Sequence, residues 1–308
     1  MQGGQGEVDR PPPGRFVNVE GQRVHVVDEG SGTPLLLMAA MGSNWFDLDH
    51  LAVRLVERGW RVIRFDRPGY GLSEPLPRGR VLTLRLEVSW MVGVLDELGV
   101  VEPVTVVGHS VATLYVEAFA RLHPARTAGI AMLDGSYVLL PWRFLPLGAR
   151  IDNAHRAVGA GRAITKRLRL PRRGFSRMRT VVLPTPPEGF YDHEHYWAGR
   201  FFGGWPMLLA TMVENAAFPT LNASLRRMRK HSPMPDVPDV VVAALSGPKP
   251  WRSFWLWKQS RYARMLGGRL VPVAASHFVV LEIPDEIADV IDDLGAAERE
   301  EAPRHSPD

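Results

Sequence analysis

The chain has no cysteine among its 308 residues. That excludes disulfides, a thiol nucleophile and any cysteine-ligated metal. Lysine is nearly missing as well: Lys166, Lys230, Lys249 and Lys258 are the only ones, so almost all the basic charge is arginine. No apolar run approaches the length of a membrane span, and no segment repeats along the chain. Residues 1–14 are polar, with Gly3, Gly4 and Pro11 to Pro13, and lack the apolar stretch a secretory signal needs. Both 1–14 and 296–308 have the composition of disordered segments. These absences lead to the expectation of a cytoplasmic protein with a reducing environment around it. The isoelectric point is about 9.6, yet 37 basic residues against 33 acidic ones leave a formal charge of only +4. No nucleic-acid-binding motif accompanies that charge, so no nucleic-acid partner is expected.

What is present is organised around Pro103 to Pro124. Val104 to Val107 is a continuous apolar, β-branched run, as in a strand buried on both faces. Gly108-His109-Ser110-Val111-Ala112 follows, and then an amphipathic run with Leu114, Val116, Ala118, Phe119 and Leu122 apolar. A strand therefore turns sharply into a helix with a serine at the turn. In isolation such a serine reads as an ordinary helix N-cap. In this setting a nucleophile elbow is the better reading, because the turn exposes the hydroxyl beside the first helical N–H groups. The turn demands small flanking residues. Gly108 satisfies this, and Ala112 stands where the G-x-S-x-G pattern has its second glycine.

Before this stretch, residues 15–20 and 23–28 alternate as two short strands joined at Glu20-Gly21. Residues 34–40 form a buried strand, 46–59 a helix ended by Gly59, 61–65 a strand and 82–99 a helix. After it, 128–133 is a strand ending at Asp134-Gly135-Ser136. The alternation resumes with strand 239–245, helix 251–266 and strand 270–275, with His277 directly behind it and a last helix at 285–294. The expected fold class is α/β, a mostly parallel doubly wound sheet with helices on both faces. Its core comprises residues 15–137 and 236–295, with an inserted helical cap at 138–235. Ligands of such sheets bind beyond the carboxyl ends of the strands. The Ala39-Ala40-Met41-Gly42 turn, Ser110, Asp134 and His277 all follow strand ends.

With these pieces in hand, the chain resembles the α/β-hydrolase fold superfamily. The likeness rests on Gly108 to Ala112, on Asp66-Arg67-Pro68-Gly69-Tyr70-Gly71-Leu72-Ser73, and on Ser276-His277-Phe278. It implies a serine nucleophile, an acid and a histidine base in that chain order. Ser110 takes the first role and His277 the last; a serine hydroxyl needs a nearby base, and an imidazole titrates near neutral pH. Family members often carry the acid after the strand that is 239–245 here, but this chain reads Ser246-Gly247-Pro248-Lys249-Pro250 there. Asp134 holds the alternative position. A helix of about twelve residues descends roughly 18 Å and a strand climbs back at about 3.3 Å per residue, so Asp134 returns to the Ser110 edge. Its other reading is a turn aspartate bonding its own loop. The resemblance further implies an oxyanion hole from the N–H groups of Val111 and Met41. Asn44 or Trp45 could line the acyl pocket, and Trp45, His109, Tyr137 and Trp142 are the expected pocket residues. Asp66 reads as a structural residue of its turn.

Residues 143–179 hold eleven Arg or Lys and one acid, Asp152. A solvated, arginine-rich surface is preferred over contact with an anionic membrane. His193-Glu194-His195 is read as non-metal, since the two histidines would face different sides of a helix. No cofactor and no metal are expected, and the partner is a small-molecule substrate. The expected activity is cleavage of a small to medium, apolar carboxylic ester through an acyl-enzyme on Ser110. Two alternatives stand beside it: a C–C bond hydrolase or lyase using the same residues, and a non-catalytic ligand-binding protein on a degenerate scaffold. An epoxide hydrolase or dehalogenase is disfavoured, because those relatives carry Asp where Ser110 stands.

Overall fold

The computed structural model describes residues 10–77, 80–135, 144–168, 183–202 and 204–301. Among these residues eight strands form one sheet: β1 (Arg15–Val19), β2 (Gln22–Glu29), β3 (Thr33–Met38), β4 (Trp60–Phe65), β5 (Val104–His109), β6 (Thr127–Leu133), β7 (Asp239–Ala244) and β8 (Arg269–Val273). Their order is β1-β2-β4-β3-β5-β6-β7-β8. The β1–β2 and β2–β4 pairs are antiparallel and the others parallel. Glu20 and Gly21 close the first hairpin with φ of 52° and 78°, the positive pair that a two-residue turn between twisted strands requires.

Between the strands lie helices α1 (Asp49–Glu57), α2 (Leu84–Glu97), α3 (Ala112–Leu122), α4 (Leu147–Arg167), α5 (Asp192–Phe201), α6 (Trp205–Met228), α7 (Lys249–Leu266), α8 (Val279–Glu282) and α9 (Pro284–Glu301). The last helix reaches Glu301. That end lies beyond 296, where the tail is expected to begin. Residues 302–308 and 1–9 lie outside the described residues.

Alternation along the central strands divides the core in two. Leu36, Met38, Val104 and Val106 pack with α2 and α3 on one face. Leu35, Leu37 and Val107 pack with α1 and α9 on the other. Successive side chains of a strand point to opposite faces, so strands buried on both sides read as unbroken apolar runs. The chain moves outward from β3 in one direction to β4 and, after crossing to β5, in the other direction to β8. The loops after β3 and β5 therefore diverge at neighbouring strand ends and open a crevice.

Helices α4, α5 and α6 lie between β6 and β7. Apolar side chains join them to the core, Ala217, Phe218, Leu221 and Leu225 in one cluster and Trp197 and Ala198 in another, and buried or half-buried polar pairs add to this. His193 Nε2 meets Asp49 Oδ2 at 2.6 Å, and Glu194 Oε2 meets His50 Nε2 at 3.0 Å. Arg229 donates both from Nε and from a terminal nitrogen to Glu117, each at 2.7 Å. The His193-Glu194-His195 triplet thus spends its first two side chains on α1.

Candidate active site

Three strand ends meet. Ser110 leaves β5 with φ of 60° and Asp134 leaves β6 with φ of 46°. Neither residue is glycine, and such backbone is strained in L-residues. Ser110 N–H is bonded to Leu133 O at 3.0 Å, and Asp134 N–H to Val242 O at 3.0 Å, so neighbouring strands hold both turns. Gly108 is required: a Cβ there would stand 2.6 Å from Val116 Cγ2 and 2.9 Å from the Ala112 backbone. Ala112 itself is fully buried, so its methyl is accommodated where the pattern has glycine.

The side chains then form one chain of hydrogen bonds. Ser110 Oγ lies 2.8 Å from His277 Nε2, and His277 Nδ1 lies 2.6 Å from Asp134 Oδ2. With Nδ1–H donating to the carboxylate, Nε2 carries the lone pair that accepts the Ser110 hydroxyl. The other carboxylate oxygen, Oδ1, accepts from Ala244 N–H at 3.0 Å and from Trp255 Nε1–H at 2.6 Å. Gln259, one turn further along α7, donates to Gly135 O at 3.2 Å. Asp134 is thereby buried with every face occupied, as a buried carboxylate must be. Sequence reasoning missed Trp255 and Gln259. Their spacing of four on an amphipathic helix was the available signal.

His109 occupies a different place from the one expected of it. It is buried behind Ser110, and its Nε2–H donates to the main-chain carbonyl of His277 at 2.7 Å. Burial, reinforced by the nearby His277, pushes its pKa down to about 3, so it stays neutral and holds that one tautomer. It braces the loop that carries His277. Glu282 braces the same loop, accepting from Ser276 N–H at 2.8 Å.

Trp45 is also corrected. It is 1% exposed and sits edge-on to His25, Phe46 and Trp197 in an aromatic cluster. Flanking apolar rings draw an indole into the core sooner than into a polar crevice. Asn44 is likewise buried, at the N-terminus of a short 3₁₀ turn, where its N–H donates to Asp47 at 2.8 Å. Tyr137 and Trp142 lie outside the described residues, as do Arg143 and the 169–179 part of the basic stretch. Asp66 is structural as expected: its carboxylate accepts from Trp45 N–H, Leu72 N–H and the His25 imidazole. A Cβ on Gly71 would stand 2.0 Å from that carboxylate, which explains the glycine.

On the other side of Ser110, the loop after β3 is held by its carbonyls. Arg67 donates to Ala39 O at 2.6 Å and to Ala40 O at 3.1 Å. Its charge is matched by Glu214 of α6 at 3.1 Å. Glu214 also accepts from the Tyr70 hydroxyl at 2.5 Å and the Tyr115 hydroxyl at 2.6 Å. Burial and the adjacent Glu214 carboxylate push both phenols well above their ordinary pKa. Met41 follows those two carbonyls, and Asn215 Nδ2 reaches its sulfur at 3.8 Å. Val111 opens α3, and the first N–H groups of a helix have no intrahelical acceptor.

The chain belongs to the alpha/beta hydrolase family, whose model matches residues 24–290. Among curated proteins it is similar to epoxide hydrolase B of Mycobacterium tuberculosis, with 32% identity over 120 residues, 38% of this chain and 33% of that protein. The matched segment thus spans about a third of that relative. Among solved structures it is similar to a carboxylesterase of Nitrososphaera gargenis, with a TM-score of 0.61, 18% identity, and 93% of this chain and 100% of that chain covered. It is also similar to an epoxide hydrolase of Vigna radiata, with a TM-score of 0.63, 17% identity and coverage of 92% and 97%. At such identities the structural likeness speaks for the fold alone. No helix of the described residues is long and apolar enough to cross a membrane.

Proposed function

We propose that this protein is a cofactor-independent serine hydrolase that cleaves a small to medium, apolar carboxylic ester. The observation that carries the reading is the bonded chain Ser110–His277–Asp134, at 2.8 and 2.6 Å. In the reaction, Ser110 Oγ attacks the ester carbon while His277 Nε2 takes its proton. Asp134 holds the imidazole in the required tautomer and balances its positive charge. The tetrahedral oxyanion accepts from the N–H groups of Val111 and Met41. Return of the proton to the leaving alkoxide releases the alcohol. Water, deprotonated by His277, then frees the acid and restores Ser110.

The name of the curated relative suggests epoxide opening. That chemistry in this family begins from an aspartate nucleophile, and Ser110 holds the position here. The test is a panel of p-nitrophenyl esters of increasing acyl length beside styrene oxide. Hydrolysis of a short or medium ester, falling about 10⁴-fold or more in His277→Ala, supports the proposal. Turnover of the epoxide without any ester would overturn it.

A further inference from the structure

The inner face of α7 braces Asp134 and its loop: Trp255 reaches the Asp134 carboxylate and Gln259 reaches Gly135 O. Nothing in the Ser110 chemistry uses the outer face. Trp251, Phe254 and Trp257 stand there three residues apart, a spacing that sets them in one row on a helix. They are 47%, 41% and 55% exposed. Their rings meet, Trp251 with Phe254 at 5.7 Å between centroids and Phe254 with Trp257 at 6.1 Å. Met265, further along the helix, is exposed as well. Single apolar side chains at a surface are ordinary, but a contiguous aromatic patch marks a contact surface.

The charge on this helix has one sign. Lys249, Arg252, Lys258, Arg261 and Arg264 lie on it, and residues 249–266 hold no Asp or Glu. Arg261 follows Trp257 by four residues and precedes Met265 by four, so cations interleave with the apolar row. Lys249, Arg252, Arg261 and Arg264 are exposed and enter no ion pair among the described residues. The acids near α7 are turned elsewhere. Asp134 meets Trp255 and His277. Glu117 meets Arg121, Arg229 and Tyr262. Asp239 lies against Gly268, beyond the C-terminal end of the helix, and Asp236 stands three residues before it. The acidic helix α9, with Asp285, Glu286 and Asp289, packs on the opposite face of the sheet: Ala263 and Leu266 of α7 belong to one core cluster, Ile287 and Ile291 of α9 to the other.

This pattern selects what covers the face. A second copy fits badly, because a two-fold interface pairs a patch with itself and would set these cations against one another. An anionic bilayer matches both features. Trp and its neighbours favour the level of the headgroups, and Lys and Arg beside them are drawn to the lipid charge. No helix of the described residues can cross a membrane, so the contact is peripheral. We propose that the outer face of α7 docks on an anionic phospholipid surface, with the Trp251–Phe254–Trp257 row at headgroup level and the interleaved cations against the lipid charges.

The test sediments the full chain with phosphatidylcholine vesicles that contain about one-third phosphatidylserine, and with vesicles of phosphatidylcholine alone. Binding to the first, weakened by added salt and about tenfold or more weaker to the second, is expected. Trp257 meets Phe254, while Trp251 stacks on Trp255, so removing Trp257 leaves the Asp134 brace in place. Trp257→Ser should weaken binding about tenfold. Arg261→Glu combined with Arg264→Glu should reduce it to the level of the neutral vesicles. Circular dichroism and melting temperature check that both variants fold. No sedimentation of the wild type with the anionic vesicles, or binding undiminished in both folded variants, overturns the proposal. So does a dimer in solution that Trp257→Ser dissociates, since the face would then be covered by a second copy.

Discussion

On one side of Ser110, Asp134 is held by the sheet and its own helix: Ala244 N–H, Trp255 Nε1–H and His277 converge on one carboxylate. On the other side, the Ala39–Met41 loop is held by a buried cation, Arg67, whose counter-charge Glu214 comes from the segment between β6 and β7. The first arrangement is complete within β6, β7, α7 and the His277 loop. The second needs a helix from outside the sheet core. The Ser110–His277–Asp134 side of the site is thus independent of α6, while the Ala39–Met41 loop depends on it.

The largest expected effect is on the first half. Asp134→Asn should leave the fold intact, since an amide oxygen still accepts from Ala244 and Trp255. It should lower kcat/KM for an ester by about 10³–10⁴-fold, because the imidazole loses its enforced tautomer. Steady-state kinetics with circular dichroism as control checks this.

Next comes the second half. Glu214→Ala leaves Arg67 buried without its counter-charge, which should cost about 3–5 kcal/mol of stability, read from urea unfolding. The comparison sharpens with Glu214→Gln, which retains acceptors for Tyr70 and Tyr115. It should lower kcat for ester hydrolysis by about tenfold, with the pH dependence of kcat/KM unmoved. A shift of the acid limb in Glu214→Gln would show that the two halves are coupled after all.

A smaller effect is expected from Trp255→Phe. Losing the indole N–H leaves Asp134 Oδ1 with Ala244 N–H alone, so the carboxylate is held less firmly toward His277. Steady-state kinetics should show kcat/KM for an ester lowered by about threefold to tenfold.

The smallest effect on activity, but a distinct one on stability, is expected from Glu87→Gln. Burial raises the Glu87 pKa in the folded chain from 4.5 to about 8. Between those values the native state binds more protons than the unfolded chain, so this group's contribution is full below pH 4.5 and is lost as pH rises through 8. The variant should therefore lose less stability than the wild type between pH 5 and pH 8, by on the order of a few kcal/mol, in denaturant titrations at both pH values.

Much of this was legible in the sequence, for physical reasons that differ from part to part. Strands buried on both faces must be apolar throughout, so β3, β5, β6 and β7 stood out as runs. Ser110 stood out because it follows such a run, and His277 because it follows the last strand. Asp134 was reached by finding no carboxylate between Ser246 and Pro250. The supports of these residues were not legible. His109 meets the His277 carbonyl 168 positions away, and Arg67 meets Glu214 147 positions away. Neither pair leaves a local pattern, since the contact exists only once β4, β5 and the inserted segment have packed. Trp45 misled because an aromatic residue beside a strand end suits a pocket and a core equally well.

The central claim is that Ser110 is a nucleophile activated by His277 and Asp134. The most direct test is intact mass after exposure to a fluorophosphonate, comparing the wild type with Ser110→Ala and Asp134→Asn. A single adduct on the wild type, none on Ser110→Ala and much slower labelling of Asp134→Asn is the predicted result. A folded wild type that takes no adduct, or an Asp134→Asn variant that labels as fast as the wild type, would contradict it.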